Sequence, residues 1–237
     1  MHRLFNPSDV SPDGLVEHAQ DTTAPQGLGF FHAKEGRPLA TPWQVAALRA
    51  QAVAKHRLPE GVVLDCACGS GIQLAAYAST LQRPVLGVEL DEERARASAV
   101  NLQTVAGHAQ ASQAAWFLES SVVAGDGCDP QGVLSATGVK AQIVAFLHLD
   151  PARPRNSRTH ALEEMQPPLH KVLESWAPHF APSSEGPAVL LDLSPRLTSS
   201  QRTEVEAIVG RVWPGIAKTW EWTSRGRGRV DRLALWL

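Results

Sequence analysis

Five acids stand where apolar runs end: Asp65 closes VVLD, Glu89 closes VLGVE, Asp126 follows SVVAG, Asp150 closes VAFLHL, and Asp192 stands in VLLDL. A carboxylate at the tip of a buried strand can accept hydrogen bonds from a sugar diol, hold an amine or take a proton. Two stretches carry more specific chemistry. DCACGSG (65–71) runs from an apolar segment into a helical one through Gly69 and Gly71, where the backbone can approach a ligand closely and helix N–H groups are free. AFLHLDPARPRNSR (145–158) stops an apolar run at Asp150-Pro151 and follows it with Arg153, Arg155 and Arg158.

The glycine turn does not match a phosphate cradle. Neither GxGxxG nor GxxxxGK[ST] is present, and Asp65 would repel a phosphate. A cationic ligand suits it better. Glu89 lies 18 residues past Gly71, where a carboxylate accepts hydrogen bonds from a ribose diol. Asp126, in AGDG, is placed to reach an adenine amino group. A sugar diol, an exocyclic amine and a positively charged amino-acid tail together describe S-adenosylmethionine.

The elements that must position these groups alternate. TPWQVAALRAQAVAKHRL (41–58) has helical spacing, with Thr41 as N-cap and Pro42 at the first helical position. Strands are expected at 62–69, 83–90, 120–127, 141–150 and 187–194, and helices at 72–81, 91–105, 167–180 and 198–213. The stretch from 215 to 237 reads as two strands around a Gly/Arg turn, RGRGRVDR (225–232), whose arginines could meet nucleic-acid backbone or solvent. Trp213, Trp220, Trp222 and Trp236 are expected in the core. This order predicts an α/β fold: a doubly wound, mostly parallel, Rossmann-like sheet of seven strands with an antiparallel C-terminal strand. Residues 1–36, rich in Pro, Asp, Gly and Thr, are expected to form an irregular N-terminal arm, and 37–237 the functional domain.

Bulk numbers narrow the class. The 237 residues are 43% hydrophobic and 19% charged, with net charge −2, which argues against a surface coated in positive charge. Three cysteines without a framework spacing argue against a disulfide-built fold, and no zinc-type CxxC pair occurs. No apolar signal core and no run of about 18 apolar residues is present. A cytoplasmic protein without metal or membrane partner is expected.

DCACGSG, GVELDEERARASAVNL, AGDG and FLHLDPAR resemble, in order and spacing, the successive cofactor and catalytic motifs of class I S-adenosylmethionine-dependent methyltransferases, over residues 41–237. The resemblance implies that Asp65, Cys68 and the Gly69–Gly71 backbone hold the methionine end, Glu89 the ribose hydroxyls, and Asp126 with Gly127 the adenine. Cys68 stands where the family often has glycine and is small enough for binding to survive. Asp150-Pro151 falls at the fourth motif, which in amine-modifying members reads Asn or Asp, Pro, Pro, aromatic. Here alanine replaces the second proline, and Arg153 occupies the aromatic slot, where it could stack on a base or bind a phosphate.

The DPAR motif, the lead-in ATPWQVAALRA and the late DLSPRL look like an uncharacterised archaeal and bacterial subgroup, some with a THUMP-like domain, and more distantly like trimethylguanosine synthases. The implied activity is methyl transfer to RNA, at a base amino group of tRNA or rRNA. Asp150 and Arg153 would be catalytic, and Pro151, Arg155 and Arg158 would bind substrate. A small-molecule or protein acceptor, or cofactor binding without catalysis, are the alternatives. His148, inside the strand, is expected to pack or bond locally.

Overall fold

The computed structural model describes residues 2–18, 21–33, 41–138, 143–153, 161–224 and 232–237. It corrects the expectation of an irregular arm, because the chain opens with a strand, Arg3–Phe5 (β1), paired antiparallel with Ser121–Ala124. Three residues with one buried side chain, Phe5, are too short to show a period. What makes them a strand is the unpaired edge beside them. Val16–His18 (β2) and Phe30–His32 (β3) form a separate antiparallel pair.

Trp43–Val53 (α1) follows and buries Ala46, Ala50 and Val53. Its cap is not Thr41. The Trp43 N–H donates to Asp21 Oδ2, and the Gln44 N–H to Thr23 Oγ1 at 3.1 Å, so the arm supplies the acceptors that a helix start needs. Next come β4 (Val62–Asp65), α2 (Ile72–Leu81), β5 (Val85–Glu89), α3 (Glu92–His108), α4 (Ala115–Leu118), β6 (Ser121–Ala124), α5 (Pro130–Thr137), β7 (Val144–Leu149), α6 (Leu169–Trp176), β8 (Val189–Leu193), α7 (Ser199–Val212), β9 (Thr219–Thr223) and β10 (Arg232–Trp236). The short α4 and α5 were not expected. α5 starts on Asp129, whose side chain accepts from the Gly132 N–H, with Pro130 at its first position.

The main sheet has the order β1-β6-β5-β4-β7-β8-β10-β9. Among the described residues it therefore has eight strands, the seven expected and β1. β4 to β8 are parallel, and β10 inserts antiparallel between β8 and β9. The order reverses beside β4, with β5 on one side and β7 on the other. In open α/β sheets that reversal is where a crevice forms at the carboxyl ends.

The central strands are buried on both faces, so their alternation sorts residues between two cores. Val63, Val85, Val122, Phe146 and Leu190 meet α1, α2 and α3 on one face. Leu64, Leu86, Val123, Leu147 and Leu191 meet α5, α6 and α7 on the other. Counting by twos from the first set reaches Asp65, Glu89, His148, Asp150 and Asp192. All five polar groups thus lie at the carboxyl edge on the α1–α3 face. The C-terminal tryptophans are less buried than expected, and Trp222 is exposed, with the Arg202 guanidinium 5.5 Å from its ring.

Candidate functional site

The glycine turn between β4 and α2 is shaped by two left-handed residues, Gly69 (φ 55°) and Gly71 (φ 74°). At Gly71 a Cβ would fall 2.0 Å from Ser98 Oγ and 2.8 Å from its Cα, so α3 packs on bare backbone. At Gly69 a Cβ would meet nothing within 4 Å, so this turn of the loop faces open space. Asn101, fully buried on α3, ties the loop to the arm. Its amide donates to the carbonyls of Ser70 (2.7 Å) and Phe31 (2.9 Å) and accepts from the Phe31 N–H (2.7 Å).

Glu89, at the tip of β5, accepts from the Gly69 N–H and the Asp91 N–H, each at 3.0 Å. Burial pushes its carboxyl up, opposed by those two N–H groups. Each oxygen keeps a lone pair for a further donor. Cys68 packs close to Gly87 of β5, and burial raises its thiol well above the ordinary range. Asp126 is exposed on the next tip, where its Oδ1 accepts from the Cys128 N–H at 2.8 Å. Gly127 is buried, and its carbonyl accepts from Trp176 Nε1 of α6 at 2.8 Å.

Asp65 does not project into open space. It is 1% exposed, with Oδ2 2.8 Å from His148 Nδ1 and Oδ1 accepting from the Ala67 N–H at 3.2 Å. Tyr77 of α2 packs edge-on against His148, ring centroids 5.5 Å apart. Tyr77 Oη and His148 Nε2 are buried without a hydrogen-bond partner among the described residues. Beside them, buried Asp192 receives Arg49 of α1 (Nη2 to Oδ2, 2.5 Å) and Arg232 of β10 (Nη1 to Oδ2, 3.1 Å). Sequence reasoning passed over Arg49. The available signal was its spacing: it lies between Ala46 and Ala50 and Val53 on the buried stripe, where a charged residue requires a partner.

Asp150 follows β7. Burial and the Asp192 carboxylate push it up to about 6, while His148, Arg49 and Arg232 pull it back. Pro151, expected at the substrate, is buried. Ala152 exchanges two hydrogen bonds with Gln166, N–H to O at 2.8 Å and O to N–H at 2.9 Å, which anchors the loop. Arg153 follows, partly exposed. Arg155, Arg158 and residues 225–231 of the arginine turn lie outside the described residues. Among the described residues, no three His, Cys, Asp or Glu side chains are grouped as metal ligands, and no helix is long and apolar enough to cross a membrane.

No protein-family model and no curated protein matches the chain. Solved structures share its architecture. The METTL16 MTase domain superposes with a TM-score of 0.57 at 15% identity, over 88% of this chain and 72% of that one. The rRNA methyltransferase aviRa from Streptomyces viridochromogenes gives 0.54 at 17%, over 87% and 88%. Precorrin-6y C5,15-methyltransferase from Geobacter metallireducens gives 0.51 at 12%, over 88% and 93%. At these identities the likeness is one of fold: the chain has the Rossmann-like methyltransferase fold, mostly parallel with an antiparallel C-terminal strand.

Proposed function

We propose that the chain is an S-adenosylmethionine-dependent methyltransferase acting on RNA, at a base amino group. The observation that supports it best is a convergence. The open side of Gly69, the Glu89 carboxylate, exposed Asp126 and Asp150 all meet at the carboxyl ends of adjacent strands, next to the point where the strand order reverses. The residues suit the cofactor. Glu89 retains lone pairs for a ribose diol, Asp126 with Gly127 would flank the adenine, and the Gly69–Gly71 backbone with Cys68 would border the methionine end. Asp65 would act through the loop it braces, since His148 and Ala67 already occupy its oxygens.

The cofactor, when bound, supplies an electrophilic methyl group. The chain's own residues then have to orient the acceptor and receive a proton. An amine that accepts a methyl must lose one proton, and Asp150 would be the carboxylate to take it. Near pH 6 its affinity for that proton is far closer to neutrality than that of an ordinary aspartate.

Two measurements test the reading. Calorimetric titration of S-adenosylmethionine should give one site per chain, lost in Glu89→Ala. Incubation with methyl-labelled cofactor should label tRNA or rRNA. Cofactor binding with no label in any RNA pool would remove the RNA acceptor and leave a small-molecule or protein one.

A further inference from the structure

A guanidinium cannot give up its charge inside a protein. Its Nε–H and one Nη–H leave a single edge in parallel, matched to two oxygens of one acceptor group. Arg153 presents that edge unused: Nε and Nη2 are both buried, and neither has a hydrogen-bond partner among the described residues. A buried donor left so keeps the full cost of its lost hydration until an acceptor arrives. Burial pulls the Arg153 guanidinium down, and Asp150 and then Asp192 oppose it, so both carboxylates are near. Neither satisfies the edge. Asp192 Oδ2 is taken by Arg49 and Arg232.

The backbone under Arg153 is pinned. Pro151 is buried and restricts φ, and Ala152 is held by two hydrogen bonds to Gln166. Among the described residues, the guanidiniums Arg49, Arg153 and Arg232 gather about the carboxylates Asp150 and Asp192. Stacking on a base, the other role open to an arginine here, uses the face of the group and would leave the buried edge without acceptors.

We propose that Arg153 is the specificity-determining residue of this site, its Nε–Nη2 edge receiving the paired anionic oxygens of the acceptor, a phosphate or a carboxylate. The proposal rests on the methyl-transfer reading. Arg153 follows Asp150 by three residues, so their Cα atoms lie within about 10 Å of each other, and the anionic group would lie near the acceptor atom that Asp150 attends. A nucleotide carries a phosphate at that range from its base, and a small acid carries a carboxylate.

The test titrates the full chain, loaded with S-adenosylhomocysteine, with nucleosides, nucleoside monophosphates and succinate. Monophosphates should bind about tenfold or more tightly than the parent nucleosides. Arg153→Gln and Arg153→Lys should both erase that preference, lysine because a point charge does not span two oxygens. Succinate binding more tightly than the monophosphates, again lost in both variants, would assign the edge to a carboxylate acceptor. S-adenosylhomocysteine affinity should stay within about twofold in each variant, and Arg153→Gln should melt no lower than wild type, since it removes a half-buried charge with unsatisfied donors. The proposal is overturned if wild type does not discriminate among the probes, or if Arg153→Lys discriminates as wild type does. Repeating the anion titrations without S-adenosylhomocysteine separates the two readings: an Arg153-dependent anion site in a chain that binds no cofactor would end the methyl-transfer reading and keep the anion site.

Discussion

His148 Nδ1 lies 2.8 Å from Asp65 Oδ2, with both side chains 2% exposed. The two Cα positions are register partners on the parallel strands β4 and β7, so the bond joins the two middle strands at their carboxyl ends, two residues before the catalytic candidate Asp150. His148→Phe keeps a ring for Tyr77 to pack on and leaves a buried acceptor without its donor. A loss of about 1–3 kcal/mol is expected by urea denaturation. A double-mutant cycle with Asp65→Leu should show coupling, because removing both partners leaves neither ring nor carboxylate of the pair unsatisfied, while the loss of the Ala67 N–H acceptor is common to both Asp65 variants and cancels.

Arg49 and Arg232 neutralise Asp192 beneath the site. Arg49→Met preserves the apolar stem and removes one of them. Breaking a buried ion pair is expected to cost about 3 kcal/mol. The same change removes a charge that holds Asp150 down, so the Asp150 carboxyl should move above about 6, read by carboxyl-carbon NMR titration. An unmoved Asp150 would separate the two groups.

Asp150 also makes stability depend on pH. Its folded value, about 6, lies above the ordinary 3.8. The ionised form is therefore disfavoured in the fold, and the stability associated with its proton, present below pH 3.8, is lost as pH rises through 6. Asp150→Asn should stabilise the chain by about 1–2 kcal/mol at pH 8, less than the full shift implies because the group is partly solvated. The gain should vanish near pH 4. Melting curves across that window check the sign, and a constant difference would contradict it.

The two left-handed glycines should respond differently. Gly71→Ala forces a Cβ into Ser98 on α3 as well as an unfavourable φ, and should cost well over about 2 kcal/mol. Gly69→Ala meets open space and should cost only about 1 kcal/mol of backbone strain. If the open side of Gly69 receives the cofactor, Gly69→Ala should fold yet bind S-adenosylmethionine poorly, as calorimetry would show. Normal binding in that variant would move the cofactor off this loop.

Much of the architecture was legible because it is written locally. Apolar runs such as VAFLHL and VLLDL, separated by helical stretches with marked starts at Asp91 and Thr198, specify parallel strands and crossovers. The spacing of Gly69, Glu89 and Asp126 survives folding because each sits at the end of its own strand. β1 and the cap of α1 by Asp21 and Thr23 were not legible. Both are contacts between the arm and distant segments, and three residues carry no periodicity to announce them.

By itself, then, the sequence determined the strand-helix alternation, the acids at the strand tips and, through the period of two, which face of the sheet those acids share. Only the tertiary structure decided which of them remain available. Asp65 is occupied by a histidine 83 residues away, Asp192 by two arginines from α1 and β10, and Arg153 keeps a buried edge with no acceptor among the described residues. Those outcomes depend on which strands become neighbours and in what register, and a hydrogen bond between residues so far apart leaves no local pattern in the chain.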